Sequence, residues 1–498
     1  MSDQRPPRKP QSRNPRQGNP RQGNPRQGDA GQGGGPRQAN SRRKPLDPAR
    51  QAAFDVLRAV STRDSYANLA LPALLRERGI AGRDAAFATE LTYGTLRARG
   101  LLDAVIAHAA DRAPEAIDPV LLDLLRLGTY QLLRTRVEPH AAVSTTVDAA
   151  KVEFDPARAG FVNAVLRKIT QKDQSSWMEL LAPDKRTDPV GHAAFVHAHP
   201  RWIAQSFVDA LGADAGELDA VLAADDARPA VHLTALPTRL TAADLAGQVD
   251  GETGRYSPYA VYLPGGDPGQ LTAVRDGAAL VQDEGSQLVA RALTRAAVRG
   301  TDGGRWLDLC AGPGGKTALI AAIGAERGAT LTAVEPGSAR ADLVEANTRG
   351  LGVEVLRRDG RTAANGGPDE LPPLTPGFDR VLVDAPCTGL GALRRRPEAR
   401  WRRQPGDVAQ LTKLQRELLA SAIELTRPGG VVLYSTCSPH LAETVGVVGN
   451  AHRKHNVTVL DARELFESVD HLGPGPYVQL WPHRHGTDAM FVAALAVG

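Results

Sequence analysis

Two of the three cysteines in this 498-residue chain stand directly behind apolar runs, Cys387 in VLVDAPC and Cys437 in VVLYSTC. Burial is the usual fate of a free cysteine, but two thiols at equivalent positions past the carboxyl ends of expected strands point to chemistry at one sheet edge. A thiolate is a strong nucleophile, and only a few per cent of a free thiol is ionised at neutral pH. Such a site must favour the anion, and Lys316 is a candidate cation for doing so. Asp384 precedes Cys387 by three residues on the same edge. The third thiol, Cys310, sits at a strand-to-turn junction and is expected to be packed, with its backbone touching a ligand.

The elements that must position these groups form a regular alternation beyond Asp276. RWLDLC, ATLTAVE, VEVLRRD, FDRVLVD and GVVLYST read as strands, with helices LVQDEGSQLVARALTR, KTALIAAIGA, ARADLVEANTRG and DVAQLTKLQRELLASAIEL among them. Strands alternating with helices imply parallel pairing through right-handed crossovers, a doubly wound, Rossmann-like α/β sheet.

LDLCAGPGGKT (307–317) runs from strand through a glycine turn into a helix, which aims free backbone N–H groups at a ligand. The contacts expected there are Cys310, Ala311, Gly312, Pro313, Gly314, Gly315 and Lys316. A phosphate-binding P-loop is a rival, since GGKT resembles its end and VLVD a Walker B strand, but Cys310 occupies the place of the required first glycine. A dinucleotide loop is a second rival, weakened by A-G-P-G-G and by a proline that removes a donor. Glu335, 23 residues after Gly312 at the end of the next strand, suits the hydroxyls of a ribose. Asp359 in RRDGR either caps a turn or accepts from an adenine amino group. With Asp384 these acidic strand ends suit a cationic adenosyl ligand better than a phosphorylated one.

The first 46 residues carry eleven Arg/Lys against Asp3 and Asp29, so the net charge of +4 divides into +9 in this segment and −5 in the remainder. NPRQG occurs three times over 14–28, with almost nothing apolar to bury. This segment reads as a disordered arm that tracks nucleic-acid phosphate or as a solubilising extension. From 47 to 171 apolar residues recur at helical spacing with proline breaks, giving an all-α domain whose core includes Phe87, Leu91, Tyr130, Phe161 and Leu166. Residues 172–275 read as a linker and small α+β subdomain, and 276–498 as the catalytic sheet. No apolar run reaches the roughly 18 residues that span a bilayer, and no signal peptide is evident, so a cytoplasmic protein is expected. Three cysteines without CxxC spacing predict reduced thiols and no metal.

ATELTYGTLR (88–97), LLRLGTYQLL (124–133) and GFVNAVLRKI (160–169) resemble the NusB-type RNA-binding domain. DAPCTGLGALRRRPEARW (384–401), YSTCS (434–438) and LDLCAGPGGKT resemble the Nol/Nop/Sun family of RNA cytosine-C5 methyltransferases, the bacterial RsmB (Sun, Fmu) type in particular. The resemblance implies S-adenosylmethionine as cofactor and small-subunit ribosomal RNA or its precursor particle as partner. It further implies Cys437 as nucleophile, Cys387 as the residue that aids product release, and Asp384 as the group that holds the cytosine. An unpaired nucleotide is the expected target, because attack on its face requires it to leave the stack. RNA contacts are expected from exposed Arg97, Arg99, Arg126 and Arg167, from the basic strip RRRPEARWRR (394–403), and from Trp401 if it stacks rather than packs. The chain departs from the family pattern after TCS, where AETV retains only Glu443 of Glu-Asn-Glu, and at 232–236, where HLTAL replaces Leu-Arg-x-Asn. The competing class is a non-catalytic RNA-binding or assembly factor with a degenerate methyltransferase fold. A monomer is expected.

Overall fold

The computed structural model describes residues 46–366 and 372–498; the expected arm over 1–46 lies outside them except for Leu46. Seven helices open the described chain: α1 (Pro48–Arg63), α2 (Ala67–Glu77), α3 (Gly82–Arg97), α4 (Arg99–Ala110), α5 (Pro119–Arg134), α6 (Pro139–Glu153) and α7 (Pro156–Ile169). Asp-Pro pairs start three of them. Asp47, Asp118 and Asp155 each accept from a backbone N–H of the first turn, while the proline that follows needs no such partner. Phe54, Leu57, Leu91, Leu101, Val105, Leu124, Val162 and Leu166 close the core between the helices. Tyr130 is buried with them, whereas Phe87 and Phe161 are half-buried and lie under the guanidiniums of Arg50 and Arg112.

Helices α8 (Gln174–Leu181), α9 (Pro189–Val196), α10 (Arg201–Leu211) and α11 (Leu218–Asp226) lead to a small sheet. Its strands β1 (Val231–Ala235), β2 (Glu252–Thr253), β3 (Ala260–Leu263) and β4 (Ala279–Val281) pair in the order β2-β3-β1-β4, with α12 (Ala242–Val249) and α13 (Thr272–Arg275) between them. The segment LVQDEGSQ, expected as helix throughout, divides here. Leu280 and Val281 pair with β1, and α14 (Glu284–Arg295) begins only after Asp283 caps it by accepting from Gly285 N. The small sheet thus takes its last strand from beyond position 275.

The large sheet contains β5 (Arg305–Asp308), β6 (Thr330–Val334), β7 (Glu354–Leu356), β8 (Phe378–Asp384), β9 (Thr426–Thr436), β10 (Val457–Leu460), β11 (Val478–Gln479) and β12 (Phe491–Val497). The order is β10-β12-β9-β8-β5-β6-β7, with β11 paired to β12. Five strands are parallel as expected, but β12 runs antiparallel to β9, and β10 and β11 pair antiparallel with β12, so the sheet is mixed. The final strand returns beside β9 after a connection without the crossover geometry that parallel pairing needs. VEVLRRD also supplies only three strand residues, leaving Asp359 in the following turn.

Both faces of this sheet are covered, and the centres of its strands are apolar runs. Leu382 and Leu433 pack with α14 and α15 (Gly315–Ala325) on one face; Val381, Val383, Val432 and Tyr434 pack on the other with α18 (Pro405–Leu425) and α19 (Val445–Lys454). The remaining helices are α16 (Ser338–Asn347), α17 (Ala399–Arg402) and α20 (Pro482–His485). No helix among the described residues is long and apolar enough to cross a membrane.

Candidate active site

The chain leaves β5 toward β6 and β7 on one side and returns through β8 to β9 on the other, so the crevice at the carboxyl ends of β5 and β8 is where an open α/β sheet takes a ligand. The glycine loop fills one wall. Leu309 N donates to Leu382 O (2.9 Å) and Ala311 N to Val334 O (3.0 Å), stitching it to both neighbouring strands. Gly314 has φ +105°, and a Cβ there would lie 2.9 Å from Val344 Cα, so only glycine admits this turn. A Cβ at Gly312 would overlap the Glu335 carboxylate.

Glu335 does reach the loop. Its Oε2 accepts from Gly312 N (3.2 Å) and its Oε1 from Gly337 N (3.0 Å), while Arg340 Nε lies 3.4 Å away. The carbonyls of Gly312 and Pro313 accept from Arg340 Nη2 (2.6 Å) and Asn347 Nδ2 (2.8 Å). Asp359 is held by its neighbour: Arg361 N donates to its Oδ1 (2.8 Å) and Arg361 Nη2 to its Oδ2 (2.6 Å). Cys310 is packed with the sheet core, and burial pushes its thiol well up.

Three residues here carry no sequence signal of their own. Asp308, at the end of β5, accepts from Thr317 Oγ1 (2.8 Å) and Cys310 N (3.3 Å), and burial raises its carboxyl to about 6. Ser286 Oγ lies 3.1 Å from Lys316 Nζ. Gln282 is only 8% exposed, and neither its Nε2 nor its Oε1 has a partner among the described residues. A Cβ at Gly315 would stand 3.5 Å from that amide nitrogen, so an unsatisfied amide faces the glycine loop. Buried amides rarely go unpaired, which marks the crevice as built for a polar ligand. The donor and acceptor set, a strand-end carboxylate beside close-approach glycine backbone and acidic neighbours, fits a ribose-bearing cationic ligand.

The two thiols meet on the adjoining wall, with Cys387 Sγ and Cys437 Sγ 3.5 Å apart. Parallel register places Asp384 opposite Ser435, so the residues three and two positions further on converge past the strand ends. Asp384 Oδ1 accepts from Ser435 Oγ (2.8 Å) and its Oδ2 from Lys316 Nζ (2.8 Å). Burial works against the Lys316 charge, but the Asp384 carboxylate outweighs it and raises the ammonium above its ordinary range. The thiols are unequal. The hydrogen bond between them lowers the Cys437 pKa against the cost of burial and the nearby Asp384 carboxylate, with Lys316 helping. The same bond, burial and the nearby Glu443 push Cys387 well up.

The basic segment 394–403 does not form a solvent-facing strip. Arg394 and Arg395 bridge Asp283 and Asp488 with N–O distances of 2.6–3.0 Å. Arg400 is fully buried, donating to Asp225 O (2.7 Å), Arg97 O (3.2 Å) and Asp226 Oδ1 (3.3 Å). Arg402 Nη2 donates to Val60 O (3.0 Å) and Ser65 O (2.7 Å), and Glu398 accepts from Ala67 N (3.2 Å). The Trp401 ring packs over Gly100, where a Cβ would overlap it. The segment therefore joins the sheet to the helices. Arg97 and Arg126, expected on the RNA-facing surface, are buried as well; Arg126 pairs with Asp103 (2.6 Å) and Asp123 (2.9 Å). Arg99 is held between Asp103 and the Trp401 ring, and Arg167 alone of the four is exposed.

The family model described as 16S rRNA methyltransferase RsmB/F matches residues 296–496, and the NusB family model matches 47–171. A putative methyltransferase of Mycobacterium tuberculosis is 73% identical over 461 residues, covering 92% of this chain and 99% of its own length. The ribosomal RNA small subunit methyltransferase B of Erwinia tasmaniensis is 32% identical over 461 residues, covering 89% and 97%. Among solved structures, the crystal structure of PH0851 covers 91% of this chain and 100% of its own at a TM-score of 0.73 and 21% identity. NSun6 from Pyrococcus horikoshii, solved with SFG, an analogue of S-adenosylmethionine, covers 60% and 98% at 0.50 and 19%, a likeness of fold. With the crevice, its glycine loop and the helices before it, these matches place the chain in the RsmB/F family of 16S rRNA methyltransferases, with S-adenosylmethionine as cofactor.

Proposed function

We propose that this protein methylates carbon 5 of a cytosine in small-subunit ribosomal RNA through a transient bond between Cys437 and carbon 6 of the base. The observation that carries the reading is the pair of thiols 3.5 Å apart with unlike proton affinities, beside Lys316 and Asp384 at the ligand edge of the sheet. Carbon 5 of cytosine is a poor nucleophile. Addition of the Cys437 thiolate to carbon 6 moves the electron pair of the 5,6 double bond toward carbon 5. Carbon 5 would then take the electrophilic methyl that S-adenosylmethionine supplies when bound, the sulfonium–methyl bond breaking to leave a neutral thioether. Loss of the carbon-5 proton to solvent then restores the double bond and expels Cys437 as thiolate, to which the Cys387 S–H donates. Asp384, fixed by Lys316 and Ser435, holds the polar edge of the ring.

Residues 310–316 and Glu335 cradle the cofactor in this reading, with Asp359 and Asp384 completing its acidic border. Residues 47–171 act as a helical RNA-binding domain, 172–275 as the connecting subdomain and 276–498 as the catalytic unit, working as a cytoplasmic monomer. Cys437→Ser abolishes methyl transfer to ribosomal RNA, and Cys387→Ala accumulates a protein–RNA adduct that survives denaturing electrophoresis. Methylation by Cys437→Ser, or no adduct with Cys387→Ala, overturns the assignment.

A further inference from the structure

We propose that Gln282 is the residue that reads the amino-acid end of S-adenosylmethionine, its amide donating to the carboxylate and accepting from the ammonium. The proposal rests on the reading above that seats the cofactor on residues 310–316 and Glu335, and it adds a specificity-determining contact from outside the glycine loop.

Gln282 lies between β4 and α14, and its backbone is held from both sides. Its N–H donates to His232 O (3.0 Å), and its carbonyl accepts from Gln287 Nε2 (3.1 Å), which also donates to Leu233 O (3.1 Å). The side chain is buried, yet Nε2 and Oε1 have no partner among the described residues. An unmet buried donor and an unmet buried acceptor each carry a desolvation cost, so the site is complete only with a ligand that both accepts and donates. The amide is aimed at the start of α15. A Cβ at Gly315, the first residue of that helix, would stand 3.5 Å from Nε2 and 3.6 Å from Cδ, which are ordinary contact distances.

Helix α15 begins after Gly314 without a side chain capping its first turn. The N–H groups of that turn and the helix dipole favour an anion in front of it. Three parts of the two reactants set an acceptor beside a donor: the cytosine edge, the adenine edge and the amino-acid end of the cofactor. Only the last of these carries a negative charge. The cytosine belongs beside the thiols at Asp384, whose Oδ2 accepts from Lys316 Nζ (2.8 Å). Glu335 accepts from Gly312 N (3.2 Å) at the other end of the loop, the end that takes the ribose in this reading. The amino-acid end is what remains for Gly315 and Gln282. A neutral amide suits it, because Nε2 serves the carboxylate, Oε1 serves the ammonium, and no further charge is buried.

The test is isothermal titration calorimetry of the full-length protein with two ligands: S-adenosylhomocysteine, which keeps the amino-acid end, and methylthioadenosine, which lacks it but retains ribose and adenine. Gln282→Met, which keeps the volume and removes both polar atoms, weakens S-adenosylhomocysteine by about 10- to 100-fold and methylthioadenosine by no more than about twofold. Gln282→Glu, which sets a like charge against the carboxylate, weakens S-adenosylhomocysteine by at least about tenfold with the same selectivity. Wild-type affinity for S-adenosylhomocysteine in Gln282→Met overturns the proposal, and a raised KM for RNA in its place assigns the amide to the base. Equal loss of both ligands also overturns it, since the amide then serves only the shape of the loop. If Gln282→Met does not fold, Gln282→Glu decides between these outcomes. Glu335→Gln separates the proposal from the reading beneath it: both ligands weaken alike if that carboxylate holds the ribose, whereas unaltered affinity there with a selective loss in Gln282→Met removes the ribose assignment and keeps this one. Binding is measured without RNA, so it holds or fails independently of whether Cys437→Ser still methylates.

Discussion

The arginine segment 394–403 and the cysteine pair treat buried polar groups in opposite ways. In the segment, Arg394, Arg395 and Arg400 lie against carboxylates and carbonyls and tie parts of the molecule together, although the Arg400 Nε has no partner among the described residues. At the pair, two thiols have each other as partner and a field of unlike charges around them, and one is pushed toward ionisation. A buried charge set against opposite charges and carbonyls serves to join elements, whereas a thiol pushed toward ionisation at a ligand edge has chemistry in reserve.

Substitutions at the two places separate these uses. Arg400→Met leaves the carbonyls that the guanidinium served unmet and Asp226 with Arg134 alone, and unfolding in urea should show a loss of about 3–5 kcal/mol. Gly391→Ala acts beside the thiols: its Cβ would overlap the Ala489 carbonyl, costing about 1–3 kcal/mol, and the displaced loop should lower methyl transfer more than it lowers the melting temperature.

Asp225, buried next to Arg400, provides a pH test. Burial raises its carboxyl to about 7 from an ordinary 3.8, with Arg400 opposing, so the native chain retains a proton that the unfolded chain releases between these values. Its contribution to stability is full below pH 3.8 and is lost as pH rises through 7. Asp225→Asn should remove a decline on the order of 1 kcal/mol between about pH 5.5 and 7. His199, which burial holds neutral, acts in the other direction and lies 3.7 Å from Asp225, so the difference between the two proteins reads the pair. Arg167→Ala supplies the smallest effect: an exposed guanidinium should change stability by no more than about 0.5 kcal/mol, while RNA affinity falls most at low salt.

The large sheet was readable because its strands are apolar runs of period-independent burial, and FDRVLVD matches β8 residue for residue. The convergence of Cys387 and Cys437 followed from parallel β8 and β9 ending together. The antiparallel edge was not readable, since FVAALAV is as apolar as a central parallel strand and carries no mark of its direction. The burial of Arg97, Arg126 and Arg400 escaped for another reason. Charge in a sequence reads as surface unless its partner is known, and Asp226 lies 174 residues from Arg400. Gln282 matters through what surrounds it, and the glycine loop it faces comes from another part of the chain.

The glycine at position 100 makes helix α4 a keyed part, because the indole of Trp401 fills the space that any side chain there would claim. Helices transplanted from a free-standing relative with a larger residue at that notch would fold, yet would be held off the sheet. Exchange of modules between such proteins is therefore limited by fit at the seam before it is limited by the stability of either half.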